Sequence, residues 1–274
     1  MESSKIIIGR GFSAEIATRS STKLHTVEEH SHKFNELYIL LEGKVKYWIN
    51  NEFIEIPAHH AAFVSEGYIH QAAYDYHCHC KRFGIWFTTD FVDEPYRSIL
   101  ASLDQKKVVV TDAQCRERID WLMRMIMQEF EEQKEDWLLQ CKTLLHSLLL
   151  LLDRQQVHRP AAALTHNEEV TQDAAQYISS HLAEDLSLKT LSAKYAMSTS
   201  HFCRIFSQYT GVGVARYIKL ARLRQAEKML SEGCKNISLI ATQCGFSNSN
   251  YFISEFKKYM GITPFKYANQ AKDK

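Results

Sequence analysis

The chain has no disulfide framework, no long apolar run and no catalytic signature, and each absence narrows what it can be. Its seven cysteines are odd in number and scattered. That usage points to a reducing compartment, and the cytoplasm is the expectation. The longest aliphatic run, residues 148–152, falls far short of the ~20 residues a bilayer-spanning helix needs, so no membrane association is expected. The opening residues, MESSKIIIGRGF, carry neither a long apolar core nor a cleavage site, so no secretory leader is expected. No nucleophile–base pair and no phosphate-cradling glycine loop stands out, so enzyme activity is not expected.

A formal net charge of +1 over 274 residues also looks like a missing signal until it is divided by position. Residues 186–274 hold 14 Lys+Arg against 4 Asp+Glu, whereas residues 1–185 hold 19 against 28. A basic segment on an acidic body predicts one part that meets a polyanion and another that does not. The length and a hydrophobic content of 45% suffice for two separate cores.

What is present changes character along the chain, and an α+β protein is expected. Residues 5–88 read as short strands. Lys44, Val45, Lys46, Tyr47, Trp48 and Ile49 alternate, with Val45, Tyr47 and Ile49 on one face. Asn50-Asn51 reads as a hairpin turn into Phe53, Ile54 and Ile56, and Pro57 closes that strand. Residues 61–64 and 82–87 read as further strands, and the set suggests a small barrel or sandwich. From about Thr111 the period becomes helical. Asp112 is a good N-cap, followed by Ile119, Leu122, Ile126 and Phe130. A second helix carries Leu138, Leu145, Leu148, Leu149 and Leu152. Its broad stripe suits packing on the barrel, on the other helix or on a second copy of the chain. Residues 154–167, polar and with Pro160, read as the linker. The remainder reads as helical.

That helical remainder holds a weak duplication. Leu191-Ser192, Ser198, Phe202, Phe206, Tyr209 and Gly211 form one set; Ile240-Ala241, Ser247, Phe252, Phe256, Tyr259 and Gly261 form the other. The offset is 49 up to the serine and 50 beyond it. Each set reads as helix, turn, helix. Ser192 and Ala241 are small enough for a close helix crossing, and Ala196-Met197 and Gly245-Phe246 fall in the turns. Ser198 and Ser247 are placed to cap the second helix. Between the sets, Tyr217, Leu220, Leu223, Ala226 and Leu230 mark one face of a linking helix about 25 Å long. Such a rod would set two recognition helices roughly one DNA turn apart, ~34 Å, on one face of a duplex.

These residues resemble the AraC family of bacterial transcription regulators. LSLKTLSAKYAMSTSHFCRIFSQYTG is similar to its first helix-turn-helix, YIKLARLRQAEKML to its linking helix, and ISLIATQCGFSNSNYFISEFKKYMGITPFKY to its second motif. The resemblance covers about residues 173–268. It implies a sensor domain at 1–110, a helical pair and linker at 111–160 that would dimerise the chain, and a DNA-binding domain at 165–274. The two motifs would lie at about 186–211 and 236–261. Carried over by position, it implies DNA contacts from Ser200, His201, Cys203 and Arg204, and from Ser249, Asn250, Ser254 and Lys257. Arg204 would bond guanine and Asn250 adenine, while Lys194, Lys257 and Lys258 would meet phosphates. The second motif departs from the family in placing Ser254 where Arg204 stands in the first. Its neighbour Glu255 would repel phosphates if it faced them. The partners implied are double-stranded promoter DNA, a small-molecule effector, a second copy of the chain and RNA polymerase, with activation as the usual outcome.

The N-terminal half offers His30-Ser31-His32, Glu36 and Gly43, with His70 downstream. This order resembles the first cupin motif plus its later histidine. Two readings are open. His30, His32, Glu36 and His70 would hold a divalent metal, as in a cupin enzyme or metal sensor fused to a DNA-binding domain. Alternatively, His30, His32, Glu36, Tyr38, Tyr47, Trp48, His70 and Trp86 would line an effector pocket, for a sugar or related metabolite, with no cofactor. The pocket is the expectation. His77-Cys78-His79-Cys80 would put its two histidines and two cysteines on opposite strand faces, which spoils a four-ligand zinc site.

Overall fold

Alternating apolar residues build the first half of the protein into two facing antiparallel sheets. In the computed structural model the residues described are 9–20, 25–26, 34–74, 79–157 and 164–270. They divide into two units, Met1–Ala163 and Leu164–Lys274.

In the first unit the strands are β1 (Phe12–Ser20), β2 (His25–Thr26), β3 (Asn35–Glu42), β4 (Lys44–Ile49), β5 (Glu52–Pro57), β6 (His60–Val64), β7 (His70–Tyr74), β8 (His79–Phe87) and β9 (Val108–Val110). One sheet has the order β1-β8-β3-β6-β9 and the other β2-β7-β4-β5. Asn50 and Asn51 turn the β4–β5 hairpin with φ of 44° and 71°, both left-handed, as a type I′ turn requires. Side chains alternate across β3. Tyr38 and Leu40 join Val45, Tyr47, Ile49, Ile54 and Ile56 between the sheets, while Leu37 and Ile39 join Phe63, Phe83, Ile85 and Phe87 on the opposite face.

That opposite face is covered by helices. They are α1 (Arg97–Lys106), α2 (Ala113–Glu132) and α3 (Trp137–Asp153). Asp112 caps α2, its Oδ1 accepting from Cys115 N–H at 2.7 Å. Leu145, Leu148, Leu149 and Leu152 of α3 are fully buried in the same core as the sheet. The leucine stripe is therefore consumed inside the unit rather than left as a free surface. Each such burial is worth roughly 1.5–3 kcal/mol. α1 and β9 fall in a stretch whose elements the sequence left unassigned. Ile99, Leu100 and Leu103 are the buried face of α1. The candidate linker is shorter than expected, because Val157 bridges back to Val109 and Thr165 already caps the next helix with a reciprocal Glu168 box.

The second unit is helical. It comprises α4 (His166–Ser180), α5 (Leu188–Lys194), α6 (Thr199–Thr210), α7 (Val214–Ser231), α8 (Ile237–Gln243), α9 (Ser249–Met260) and α10 (Pro264–Gln270). Tyr217, Leu220, Leu223, Ala226 and Leu230 line the buried face of α7. At 18 residues it is a rod of ~27 Å.

Candidate functional site

The duplication in the sequence is a duplication in the structure. Ser187 caps α5 and Asn236 caps α8, and both helices have seven residues. Ser198 caps α6 by accepting from His201 N–H, and Asn248 caps α9 by accepting from Tyr251 N–H at 2.8 Å. Gly211 and Gly261 end the two 12-residue helices in the left-handed region, φ 80° and 81°. The expected cap Ser247 is thus corrected to Asn248. The offset rises from 49 to 50 inside the turn, so Ser247 is the extra residue and lies before the cap. Phe202 and Phe206, and Phe252 and Phe256, are fully buried and anchor each recognition helix.

Anchoring one face leaves the other outward. On α6, Ser200 and Arg204 are exposed, and His201 and Cys203 are half-buried. The Arg204 guanidinium donates to His201 Nδ1 at 3.0 Å, which fixes the imidazole proton on Nε2 while that bond lasts. On α9, Asn250, Ser254 and Lys257 are exposed and Ser249 is half-buried. Tyr251 is 47% exposed and matches His201 at the 50-residue offset. Tyr251 was not among the contacts carried over by position; the repeat itself is the signal that it belongs to the outward set. The phosphate candidates separate. Lys194 lies 4.3 Å from the Tyr177 ring centroid, and Lys258 pairs with Glu255. Lys257 forms no ion pair among the described residues. Glu255 does not face outward: it is buried and held by Lys219 and Lys258.

Between the sheets of the first unit lies a polar and aromatic cluster. Strand pairing sets Glu36 opposite both Val64 and Trp86, and Tyr38 opposite Gly84. Glu36 Oε1 accepts from the Tyr47 hydroxyl at 3.1 Å, and Oε2 lies 3.2 Å from His70 Nε2. His70 Nδ1 donates to the Tyr68 carbonyl at 2.9 Å. A carbonyl can only accept, so Nδ1 bears hydrogen, and the contact at Nε2 needs one further proton shared with Glu36. Burial alone would lower the His70 pKa. The hydrogen bond and charge of Glu36, with the Tyr68 carbonyl, outweigh it and hold His70 above its ordinary value. Tyr47 stacks on His70 and packs against Tyr38.

Arg82 completes this cluster. Its guanidinium pairs with Glu15 at 2.8 Å and lies over the Trp86 and Tyr38 rings, 5.2 and 5.8 Å from their centroids. Gly84 makes room for it, since a Cβ there would collide with both Arg82 and the Trp86 indole. The buried Trp86 Nε1–H finds no acceptor among the described residues. Trp48 is corrected. Alternation turns it to the face of β4 opposite Tyr47, where it packs edge-on against Phe53 at 4.7 Å. Its Nε1–H likewise lacks an acceptor among the described residues. His30, His32, His77 and Cys78 lie outside the described residues. Among those described, no group of three or more His, Cys, Asp or Glu side chains is placed to hold a metal ion. Glu36 and His70 already bond each other through the atoms a metal would need. In the remaining pair of the histidine–cysteine run, Cys80 is buried and His79 is exposed.

An AraC-like ligand-binding domain model matches residues 13–149, half of the chain, and a helix-turn-helix domain model matches residues 191–270. The chain belongs to the AraC family of transcription regulators. Among relatives of this AraC-family chain, the HTH-type transcriptional activator RhaR of Mannheimia succiniciproducens is 23% identical over 245 residues. That match covers 88% of the chain and 87% of the relative. The probable transcriptional regulator LumQ of Photobacterium leiognathi is 28% identical over 158 residues, 55% of the chain and 59% of LumQ. The regulatory protein PocR of Salmonella typhimurium is 26% identical over 117 residues, 43% of the chain and 39% of PocR. The match thus spans less than two thirds of LumQ and of PocR. The AraC-family chain thus carries a ligand-binding domain of that family followed by a helix-turn-helix domain. No helix among its described residues is long and apolar enough to cross a membrane.

Proposed function

We propose that the protein is a one-component, effector-controlled regulator that reads promoter DNA with both helix-turn-helix motifs. The observation that carries this reading is the matched pair of capped 12-residue helices, α6 and α9, each buried through two phenylalanines and polar on its outward face. The DNA contacts assigned are Ser200, His201, Cys203 and Arg204 from the first motif, and Ser249, Asn250, Ser254 and Lys257 from the second. Tyr251 joins them on exposure and repeat position. Fourteen basic residues against four acidic ones in residues 186–274 supply the attraction to phosphates.

The effector site assigned is the cluster of Glu36, Tyr38, Tyr47, His70, Arg82 and Trp86. A hydroxyl-rich metabolite such as a sugar suits it. The carboxylate and tyrosine exchange hydrogen bonds with hydroxyls, the rings pack on C–H faces, and the Trp86 N–H gains an acceptor. Activation is the outcome proposed, supported by a relative that matches 88% of the chain and is itself named a transcriptional activator. The protein would act in the cytoplasm, as a homodimer and with RNA polymerase. The relatives are transcription regulators, and nothing favours the metal-dependent enzyme reading over this one.

The test is selection of bound duplexes from random DNA by the full chain, followed by salt titration of the selected site. The expected result is a two-part site about one helical turn between centres, with affinity falling steeply as salt rises. Selection of no preferred sequence at any salt would overturn the reading.

A further inference from the structure

Both recognition helices pack on the linking helix α7 through phenylalanines, but at one matched buried position their chemistry differs. At the offset of 50, Ile205 of α6 corresponds to Glu255 of α9. Ile205 is 1% exposed and apolar. Glu255 is 8% exposed, nearly as buried, yet carries a carboxylate. Its Oε2 accepts from Lys219 Nζ of α7 at 2.9 Å, and its Oε1 accepts from Lys258 Nζ of α9 at 2.7 Å. Both oxygens are therefore engaged, one across the helix interface and one along α9. The hydrogen bond from Lys258, then that from Lys219, hold the carboxyl below its ordinary range against the cost of burial.

Apolar contact is non-directional, so Ile205 tolerates small rotations of α6. A buried carboxylate must keep an ammonium within reach, so Glu255 ties α9 to Lys219 of α7 and restricts how far α9 can turn or part from it, a restriction that Ile205 does not impose on α6. We propose that Glu255 is the positioning residue of the second recognition helix. Through Lys219 it sets the angle at which α9 presents Asn250, Ser254 and Lys257, and it neutralises two lysines that would otherwise bind phosphate without reading sequence. This rests on the reading of both motifs as DNA-reading heads. It also accounts for a motif with only Ser254 where the first has Arg204: short side chains read bases only if their helix is held in place.

The claim has a signature that simple loss of structure lacks. Glu255→Gln removes the charge and frees Lys219 and Lys258, so non-specific affinity should rise while sequence reading by the second head falls. The experiment compares wild type, Glu255→Gln, Glu255→Ile, Lys219→Met and the Glu255→Gln/Lys219→Met double variant, all as the full chain. Each is used to select sites from random duplex DNA, and each is titrated with one fixed non-specific duplex across salt. Arg204→Ala identifies the block read by the first head. The expected result for Glu255→Gln is an unchanged first block, a loss of about five- to tenfold in base preference in the second, and non-specific binding a few-fold tighter. Glu255→Ile copies the first motif's packing; it should fold and show the same loss in the second block. The double variant should lose no more second-block preference than either single change, because one contact is involved. An unchanged second block in Glu255→Gln and Lys219→Met overturns the inference alone. Equal losses in both blocks together with weaker non-specific binding also overturn it, as a general loss of structure. A wild type that selects no two-part site overturns the two-head reading and this inference with it.

Discussion

Arg222 of α7 donates from Nε to the main-chain carbonyl of Leu182, 3.0 Å away, and so ties the linking helix to the segment that leads into α5. The turn of the second motif closes on the same carbonyl. Gly245 sits against it with φ +76°, and a Cβ there would collide with the Leu182 carbonyl and crowd the Arg222 guanidinium. One backbone oxygen is thus shared by the approach to the first motif, the linking helix and the turn of the second.

Gly245→Ala should be among the most damaging single-atom changes in the second unit. The left-handed conformation alone costs ~1–2 kcal/mol for a residue with Cβ, and the collision adds to it because the obstacle is backbone. Thermal unfolding of the full chain should show a fall of roughly 8 °C or more in the transition of the second unit, with the first unit's transition unmoved. A shift under ~2 °C would show that the turn yields freely.

Ala196 occupies the matching turn of the first motif with φ 52° and is exposed. Here the change runs the other way. Ala196→Gly relieves left-handed strain but gives back some unfolded-state entropy, for a net gain of about 0.5 kcal/mol. Urea unfolding should show a higher midpoint and an unchanged slope. A lower midpoint would mean that the Ala196 methyl makes packing contacts that outweigh the strain.

His70 and Glu36 should make the first unit's stability depend on pH. The folded pKa of His70 is raised above its ordinary value of 6.5. Its contribution is therefore complete below that value and is lost as pH rises through the folded value. Melting temperature measured from about pH 6 to about pH 9 should decline in wild type, and the decline should flatten in His70→Gln. Identical pH profiles for the two proteins would rule out the shared proton.

Arg204→Ala should weaken binding to the selected site by about 1–3 kcal/mol and relax preference at one or two base pairs. His201→Ala should also weaken binding, because beyond any base contact of its own it removes the acceptor that steadies the Arg204 guanidinium. Ser254→Ala should do much less. Equal losses for Arg204→Ala and Ser254→Ala in competition binding would show that the two helices do not share one reading geometry.

The helical half was the more legible because its signals are local. Ser198, Gly211, Gly261 and the four phenylalanines act within one or two turns of themselves, and the sequence shows them directly. Ser247 misled because one inserted residue moves the cap to Asn248, and a serine beside an asparagine offers two equal candidates. Trp48 was readable and misplaced: the alternation that groups Val45, Tyr47 and Ile49 already excludes it from their face. The Glu255–Lys219 pair could not be read, since 36 residues and a helix crossing separate its partners. The same holds for Glu36 with His70, whose meeting depends on which strands neighbour one another. In that case the resemblance to a cupin motif brought the two residues to attention for a different reason.

The extra residue Ser247 says where this architecture absorbs change in length. Every cap-to-cap distance within a helix is equal in the two halves, and only the turn differs. Each helix keeps its length and caps across the insertion, so the extra residue is taken up in the turn. A library of turns one residue shorter or longer at residues 245–248 would therefore be a route to retargeted variants. With Gly245 and the buried Phe246 kept and the change in length placed beside Ser247, it would shift which groove positions the second head can reach.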